Sequence, residues 1–554
     1  MVKLFRHTLN IFSRKQTSVF SAASVIITAV AISRVLGLFR DWLLVSRFTP
    51  EKLDPYFAAF RIPNFIFELL VMGALSTAFI PVFTTFIETG RQKEAFKIAS
   101  SVINIGLIIF TIFSMIILVF TKEITYIIAP GFGSSDRELM ISFTRILVVA
   151  QVFPLIIGNF LTGILQSYRN FLIPALAPVV YNLGIILGIL LFSPILGLYG
   201  PVLGCVFGAM MFALIQIPQA FSFGFRHTLD FDIHHPGTRE VGKLMLPRTL
   251  GLAVSQIDTT IDLILSSLLG PANVTIFYFA QHLQQVPVGL FGSSIAQASL
   301  PVFSSLFAQK KTAEFKQLFL ASFHQILFFI IPLSAMFIVL RIPIVRLILG
   351  IRSQLSFPAT LEISQTLAFF SISLFAQALV PLIAFGFYAL HDTKTPVIIG
   401  TFSVVVNTIL SIVFVLYHHL GVWALGLSTS IASIVQMTLL FLLLDRKVSF
   451  FNRYELLMPI FKMLISGIAA GGAIYIPIKL LDQLVFDTKI TINLMMLTAI
   501  SAILGLSVYL FLAWFLEIPQ ISVIYKILSR AKALRKGVMI DTTQEMVSVQ
   551  ETKI

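Results

Sequence analysis

The sequence predicts an all-α polytopic membrane protein of about fourteen transmembrane helices. They are expected as two parallel, pseudo-symmetric six-helix bundles around a central cavity, with two extra C-terminal helices. Three observations carry that expectation. The chain is 57% hydrophobic and only 12% charged, about half the charge of a soluble domain. Runs long enough to cross a ~30 Å hydrocarbon core recur from end to end. Short motifs return at a nearly constant spacing of 220–222 residues. A β-barrel is excluded, because barrel strands give only alternating segments of ~10 residues.

In chain order, spans are predicted at 18–45, 56–87, 98–121, 139–166, 171–194, 198–222, 243–269, 274–306, 317–349, 362–388, 397–418, 421–444, 456–481 and 490–517. Several exceed the bilayer, so tilt or kinks are expected. Residues 1–17, with Lys3, Arg6, Arg14 and Lys15, read as a cytoplasmic leader. The apolar run after them is too long for a signal peptide and shows no small-residue cleavage site. Residues 223–242 are a predicted cytoplasmic linker between the bundles 18–222 and 243–444, and 518–554 a basic, then polar, cytoplasmic tail.

Lys and Arg fall in alternate loops: Arg91, Lys93 and Lys97; Arg169; Arg226 to Lys243; Lys310, Lys311 and Lys316; Lys394; and Arg446, Lys447 and Arg453. That alternation places both termini in the cytoplasm. It also accounts for the formal charge of +14 without a nucleic-acid partner. Cys205 is the only cysteine, which excludes an intramolecular disulfide and a zinc site.

The repeats are specific. Ala31-Ile32-Ser33-Arg34 returns as Ala253-Val254-Ser255-Gln256, and Tyr56-Phe57-Ala58 as Tyr278-Phe279-Ala280. Pro81-Val82-Phe83 returns as Pro301-Val302-Phe303, and Tyr168 ahead of Pro174 as Tyr388 ahead of Pro396. Four matches in order at one offset indicate duplication. An even number of helices between copies keeps their orientation parallel, and substrate sites in such folds lie between the halves.

Charge inside the apolar runs marks the candidate site. An ionisable group at bilayer depth costs at least ~2.5–3.5 kcal/mol and normally faces a partner or a wet cavity. The first span carries Arg34, Arg40 and Asp41, and the second carries Arg61, Asn64 and Glu68. Arg34 and Asp41 are seven apart and share a helix face. Arg40 points elsewhere unless Gly37 breaks the helix. Two cationic helices suggest an anionic cargo held by charge-assisted hydrogen bonds. The plainer alternative is an Arg–Asp pair that only joins helices. Arg61 is either a third cationic contact or a residue snorkelling to the outer interface. Glu68 is expected to pair with an arginine, and Asp54 to sit solvated at the outer mouth.

Asp258 and Asp262 lie one turn apart in the seventh span. They call for a bound cation, a protonated carboxyl or an arginine partner. Under the 222 offset Asp262 corresponds to Arg40, so the two are expected to face each other. His282 and Gln285 in the eighth span, ahead of Pro287, are further candidates. His282 suits phosphate binding, proton sensing or ordinary hydrogen bonding. No catalytic motif, metal-ligand spacing or ATP-binding loop is visible. No cofactor is expected, and energy would come from a coupling ion, the membrane potential or the cargo gradient.

These residues resemble the MurJ (MviN) family of lipid II flippases, within the multidrug/oligosaccharidyl-lipid/polysaccharide exporter superfamily. The carrying stretches are Ser33-Arg34-Val35-Leu36-Gly37 through Arg40-Asp41, and Asp54 with Phe57-Ala58-Ala59-Phe60-Arg61-Ile62-Pro63-Asn64. Further stretches are Ala129-Pro130-Gly131-Phe132, Pro174-Ala175-Leu176-Ala177-Pro178, Val254-Ser255-Gln256 and Asp392-Thr393-Lys394-Thr395-Pro396. The resemblance implies transfer of lipid II, an undecaprenyl-pyrophosphate-linked muropeptide, between leaflets of the bacterial inner membrane for peptidoglycan synthesis. It implies a V-shaped cavity whose arginines, here Arg34 and Arg40 with Arg61 as a further basic position, take the pyrophosphate. It also implies a lipid-tail groove on the last two helices. The chain departs from the family pattern at Phe67 followed by Glu68, and at His282 and Gln285, where many members carry Arg and Glu. The implied partners are lipid II, bilayer phospholipid and cell-wall synthesis proteins. Two rivals stand beside this reading: another cargo on the same fold (a polysaccharide-repeat unit or a drug), and a transport-inactive scaffold.

Overall fold

The computed structural model describes residues 19–69, 78–481, 488 and 490–522. The predicted leader and most of the predicted tail lie outside the described residues. The helices used below are α1 (Val19–Arg47), α2 (Pro50–Ala59), α3 (Arg61–Phe67), α4 (Ile80–Glu88), α5 (Gln92–Val119), α6 (Ser134–Ile146), α7 (Val152–Ser167), α8 (Leu172–Leu187) and α9 (Tyr199–Leu214). Then come α10 (Pro236–Leu268), α11 (Asn273–Pro287), α12 (Ser294–Ala308), α13 (Thr312–Val339), α14 (Phe357–Ile372), α15 (Leu374–Ala389), α16 (Lys394–Ile412), α17 (Trp423–Lys447), α18 (Arg453–Leu481) and α19 (Thr491–Phe515). No strand occurs among the described residues. Lipid offers the backbone no hydrogen-bond partners, so long apolar segments satisfy their own amides as helices.

Among the described residues ten helical stretches are long and apolar enough to cross a membrane, and eleven are if α14 and α15, bent by 46°, form one span. The remaining predicted spans fall on α1, on α2, α3 and α4, and on α10. These are the segments that carry the intramembrane charges. Two further differences from expectation are local. Helix α10 begins at Pro236, so it consumes the end of the predicted linker 223–242. Helix α1 runs unbroken through Gly37.

The duplication is visible in the backbone. Helices α5 and α13 each have 28 residues and begin 220 positions apart. Helices α7 and α15 each have 16 residues and begin 222 apart. Left-handed backbone recurs at matching turns: Gly90 with Lys310, Arg169 with His391, and Gly197 with His419.

Apolar lipid gives helices little reason to associate by hydrophobicity, so close packing of small residues does more of the work. Helices α8 and α9 touch backbone to backbone. A Cβ on Gly184 would stand 2.3 Å from Gly208 Cα, and one on Gly188, the residue after α8, 2.3 Å from Gly204 Cα. Helix α18 approaches α13 at Gly467, where a Cβ would meet Ile331 Cγ2 at 2.4 Å. Tyr509 of α19 donates to the Phe328 carbonyl of α13 at 2.9 Å, which fastens the last two helices to the second bundle. Ile112, Met115 and Val119 of α5 point outward while Ile98, Val102 and Phe110 are buried, the division expected of a helix between lipid and protein.

A cationic cavity between the two bundles

The site is built where α1, α3, α8, α10 and α11 converge. A cavity of about 380 Å³ is lined there by Arg40, Arg61, Asn64, Tyr181, Tyr278 and Gln281, among others. Arg40 is reached from every side. Its Nε and Nη2 donate to Asp41 Oδ1 at 3.0 and 2.8 Å. Its Nη1 donates to Asn182 Oδ1 of α8 at 3.2 Å, and Nη2 donates to Tyr278 Oη of α11 at 3.1 Å. Asn182 in turn donates to Ser33 Oγ at 3.1 Å. The other oxygen of Asp41, itself 1% exposed, bonds to His282 Nδ1 of the second bundle. One buried carboxylate therefore joins the first helix of one bundle to the second helix of the other.

Arg34 lies on the same helix, and a Cβ on Gly289 of the second bundle would stand 3.3 Å from its Nη2. No ion pair or hydrogen-bonding partner is recorded for its guanidinium among the described residues. Of Arg34, Arg40 and Arg61 it is the one with all its donors unused among the described residues.

Arg61 does not snorkel. It is 9% exposed and turns into the protein, where Nε donates to Thr260 Oγ1 at 2.8 Å and Nη2 to Gln256 Oε1 at 2.7 Å. It also bonds the Gln256 carbonyl. Asp262, Glu68 and Asp258 are near enough to act on it electrostatically. Glu68 thus faces an arginine without a direct ion pair among the described residues.

Asp262 makes no ion pair with Arg40 among the described residues; Arg40 pairs with Asp41. Asp258 Oδ1 accepts from Asn407 Nδ2 of α16 at 2.9 Å. Asp262 Oδ1 and Asn407 Oδ1 are buried with no hydrogen-bond partner among the described residues. This leaves inward-facing oxygens on α10 and α16 that are shared between two carboxylates and an amide.

Asp54 is not solvated. It is 2% exposed, and its Oδ1 accepts from the Thr275 amide at 2.8 Å and the Thr275 hydroxyl at 2.7 Å. It caps the first turn of α11, where unpaired amides and the positive end of the helix dipole favour a carboxylate. More bonds join the bundles at this end, opposite the basic loops. Trp42 Nε1 donates to the Ile351 carbonyl, and the Gln354 amide to the Val45 carbonyl, each at 2.7 Å. Gly131 presses on Ser267, where a Cβ would meet the carbonyl oxygen at 1.9 Å. The end away from the basic loops is therefore closed.

Asn64 and Gln285 are exposed. Asn64 lines the cavity and Gln285 does not. Sequence reasoning missed Asn182, Tyr278, Gln256, Thr275 and Asn407. Tyr278 and Gln256 lie inside repeated motifs, and Asn182 and Asn407 are amides within apolar runs. That placement was the available signal.

A multi-pass helical carrier with a cationic cavity between two bundles is the class that this fold and site define. The family described as Lipid II flippase MurJ matches residues 49–495. A probable lipid II flippase MurJ of Buchnera aphidicola subsp. Acyrthosiphon pisum is 28% identical, over 75% of this chain and 81% of its own length. The lipid II flippase MurJ of Burkholderia cenocepacia is 25% identical, over 78% and 84%. A solved lipid II flippase MurJ in its inward closed conformation superposes with a TM-score of 0.74 at 26% identity, covering 91% of this chain and 99% of that one. An inward-facing multidrug resistance MATE family transporter shares the fold at a TM-score of 0.63 and 20% identity, over 76% and 98%. The chain belongs to the MurJ lipid II flippase family.

Proposed function

We propose that this chain is a lipid II flippase of the bacterial inner membrane, with both termini in the cytoplasm. It takes the undecaprenyl-pyrophosphate-linked muropeptide from the inner to the outer leaflet by alternating access. The observation that carries this reading is Arg40, which lines the inter-bundle cavity and is held by Asp41, Asn182 and Tyr278, with Arg34 on the same unbroken helix outside that lining and without a partner among the described residues. Arg34 supplies free donors to a phosphate. Arg40 is pre-oriented, so little side-chain entropy is lost on binding. Membership of the family supports the cargo, and acidic residues in place of these arginines would have favoured a cationic drug.

The network suggests how cargo and motion are coupled. A phosphate on Arg40 competes with Asp41 for the same donors. Asp41, released from Arg40, is left with His282 as its partner, so the balance of bonds between the bundles changes at the depth of the cargo. A ligand shifts a conformational equilibrium only through such differential contacts. Release on the outer side requires the Asp54–Thr275 cap and the bonds beside it to open.

The cluster of Asp258, Asp262 and Asn407 suits a small monovalent cation, since hard cations take carboxylate and amide oxygens. A coupling ion there would bias α10 against α16; membrane potential is the alternative energy source.

The test is transfer of labelled lipid II between leaflets of liposomes. Wild type moves it, and Arg34→Ala abolishes or severely slows transfer while folding normally. Folded wild type that moves none, with or without an ion gradient and a membrane potential, would overturn the proposal in favour of another cargo or a scaffold.

A further inference from the structure

The cavity is more than an anion site. Beyond the arginines its wall is aromatic: Phe57 of α2 stacks on Tyr278 of α11 at 4.0 Å between ring centres, and Tyr56 meets Phe60 edge-on at 5.0 Å. All five rings line the cavity; Tyr56 and Phe57 are buried, and Phe60, Tyr181 and Tyr278 are half-buried. The hydroxyls of the two tyrosines are already engaged, Tyr181 Oη by Gln151 Nε2 at 2.7 Å and Tyr278 Oη by Arg40. What they offer the cavity is ring rather than hydroxyl. Gln281 and Asn64 border the same space, and neither amide side chain has a recorded partner among the described residues.

Ring faces beside unpaired amides are the chemistry of carbohydrate recognition. The C–H face of a pyranose carries partial positive charge and lies flat on the negative face of an aromatic ring. Its hydroxyls and N-acetyl group each need donors and acceptors of the kind a carboxamide provides together. At about 380 Å³ the cavity is at the small end of ligand pockets, roughly 300–1,000 Å³. That is room for a sugar ring next to a phosphate, and too little for a whole muropeptide.

We infer that Phe60, Tyr181, Tyr278 and Gln281 form a hexosamine subsite that takes the sugar joined directly to the pyrophosphate, with Arg40 and Arg61 at its phosphate edge. This rests on the flippase reading and adds that the carrier grips the glycan as well as the charge. A polyprenyl pyrophosphate without sugar therefore binds less well than the glycosylated lipid.

Detergent-purified full-length protein would be titrated with lipid II and, separately, with undecaprenyl pyrophosphate. For wild type the subsite requires tighter binding of lipid II. Phe60→Ala and Gln281→Leu should each weaken lipid II by about tenfold, equivalent to ~1.4 kcal/mol, and leave undecaprenyl pyrophosphate within about twofold. Phe60→Trp, which keeps a ring, should retain lipid II binding where Phe60→Ala loses it. Equal weakening of both lipids, or no weakening of either, overturns the subsite and leaves the flippase reading standing. Equal affinity of wild type for the two lipids does the same. Folded wild type that binds neither lipid overturns the flippase reading and the subsite together.

Discussion

Asp41 is the residue on which most of the site turns. It was legible as sharing a face with Arg34 seven positions away, whereas its ion pair is with the adjacent Arg40. Its bond to His282 was not legible, because nothing local joins residues 241 apart. Arg40 shows the same limit: helical geometry points it away from Arg34, and its reach to Asn182 and Tyr278 depends on packing between elements. Asp54 was misjudged for the same reason, since only the docking of α11 removes it from water. Removing His282 leaves a buried carboxylate short of one partner, a defect that costs about 1–3 kcal/mol. His282→Ala should therefore lower the melting temperature of the purified protein and slow transport, while His282→Arg, a cation able to meet the same carboxylate, should retain both. An unchanged melting temperature in His282→Ala would show that the bond joins nothing of consequence.

Helix existence was the most legible level, because apolar length alone dictates it in a membrane. Of the spans outside the length-and-composition count, the one on α10 carries Asp258 and Asp262 within its apolar run. The contact between α8 and α9 was not legible, since a glycine in a run reads the same whether it faces lipid or another backbone. Gly188→Leu should wedge these helices apart and reduce folded yield and thermal stability. The same change at Gly472, where a Cβ would meet nothing within 4 Å, should be tolerated. Comparing the two by fluorescence-detected size exclusion separates close packing from a general dislike of leucine.

The motif Asp392-Thr393-Lys394-Thr395-Pro396 also gains a physical role at this scale. Asp392 accepts from the Lys394 and Thr395 amides at 3.1 and 3.0 Å, capping α16, and from Lys447 Nζ of α17 at 2.6 Å. Burial pushes the carboxyl up, but Lys447 and the Thr395 bonds outweigh it and hold it well below the usual carboxylate range. A depressed folded-state value stabilises the protein above the ordinary aspartate pKa of ~3.9 and is lost as pH falls below it. Asp392→Asn should melt earlier at neutral pH, and the gap to wild type should hold until pH reaches ~3.9 and narrow as pH is lowered further. A gap that stays constant with pH would contradict the capping account.

For the molecule as a whole, duplication was readable from four short matches, and the two bundles carry it in helix lengths and left-handed turns. Which end is shut was not readable. It is set by contacts such as Trp42–Ile351, Val45–Gln354 and Asp54–Thr275, which join segments more than 200 residues apart. The central claim is that cargo crosses because these contacts open while the arginines hold its phosphates. The lone native cysteine is buried, so a cysteine pair at Val45 and Gln354 can be cross-linked selectively. The decisive measurement is lipid II transfer in liposomes by that double variant, reduced and oxidised. The account predicts transfer when reduced, arrest when the disulfide forms, and recovery on adding reductant. Undiminished transfer by fully cross-linked protein would contradict it.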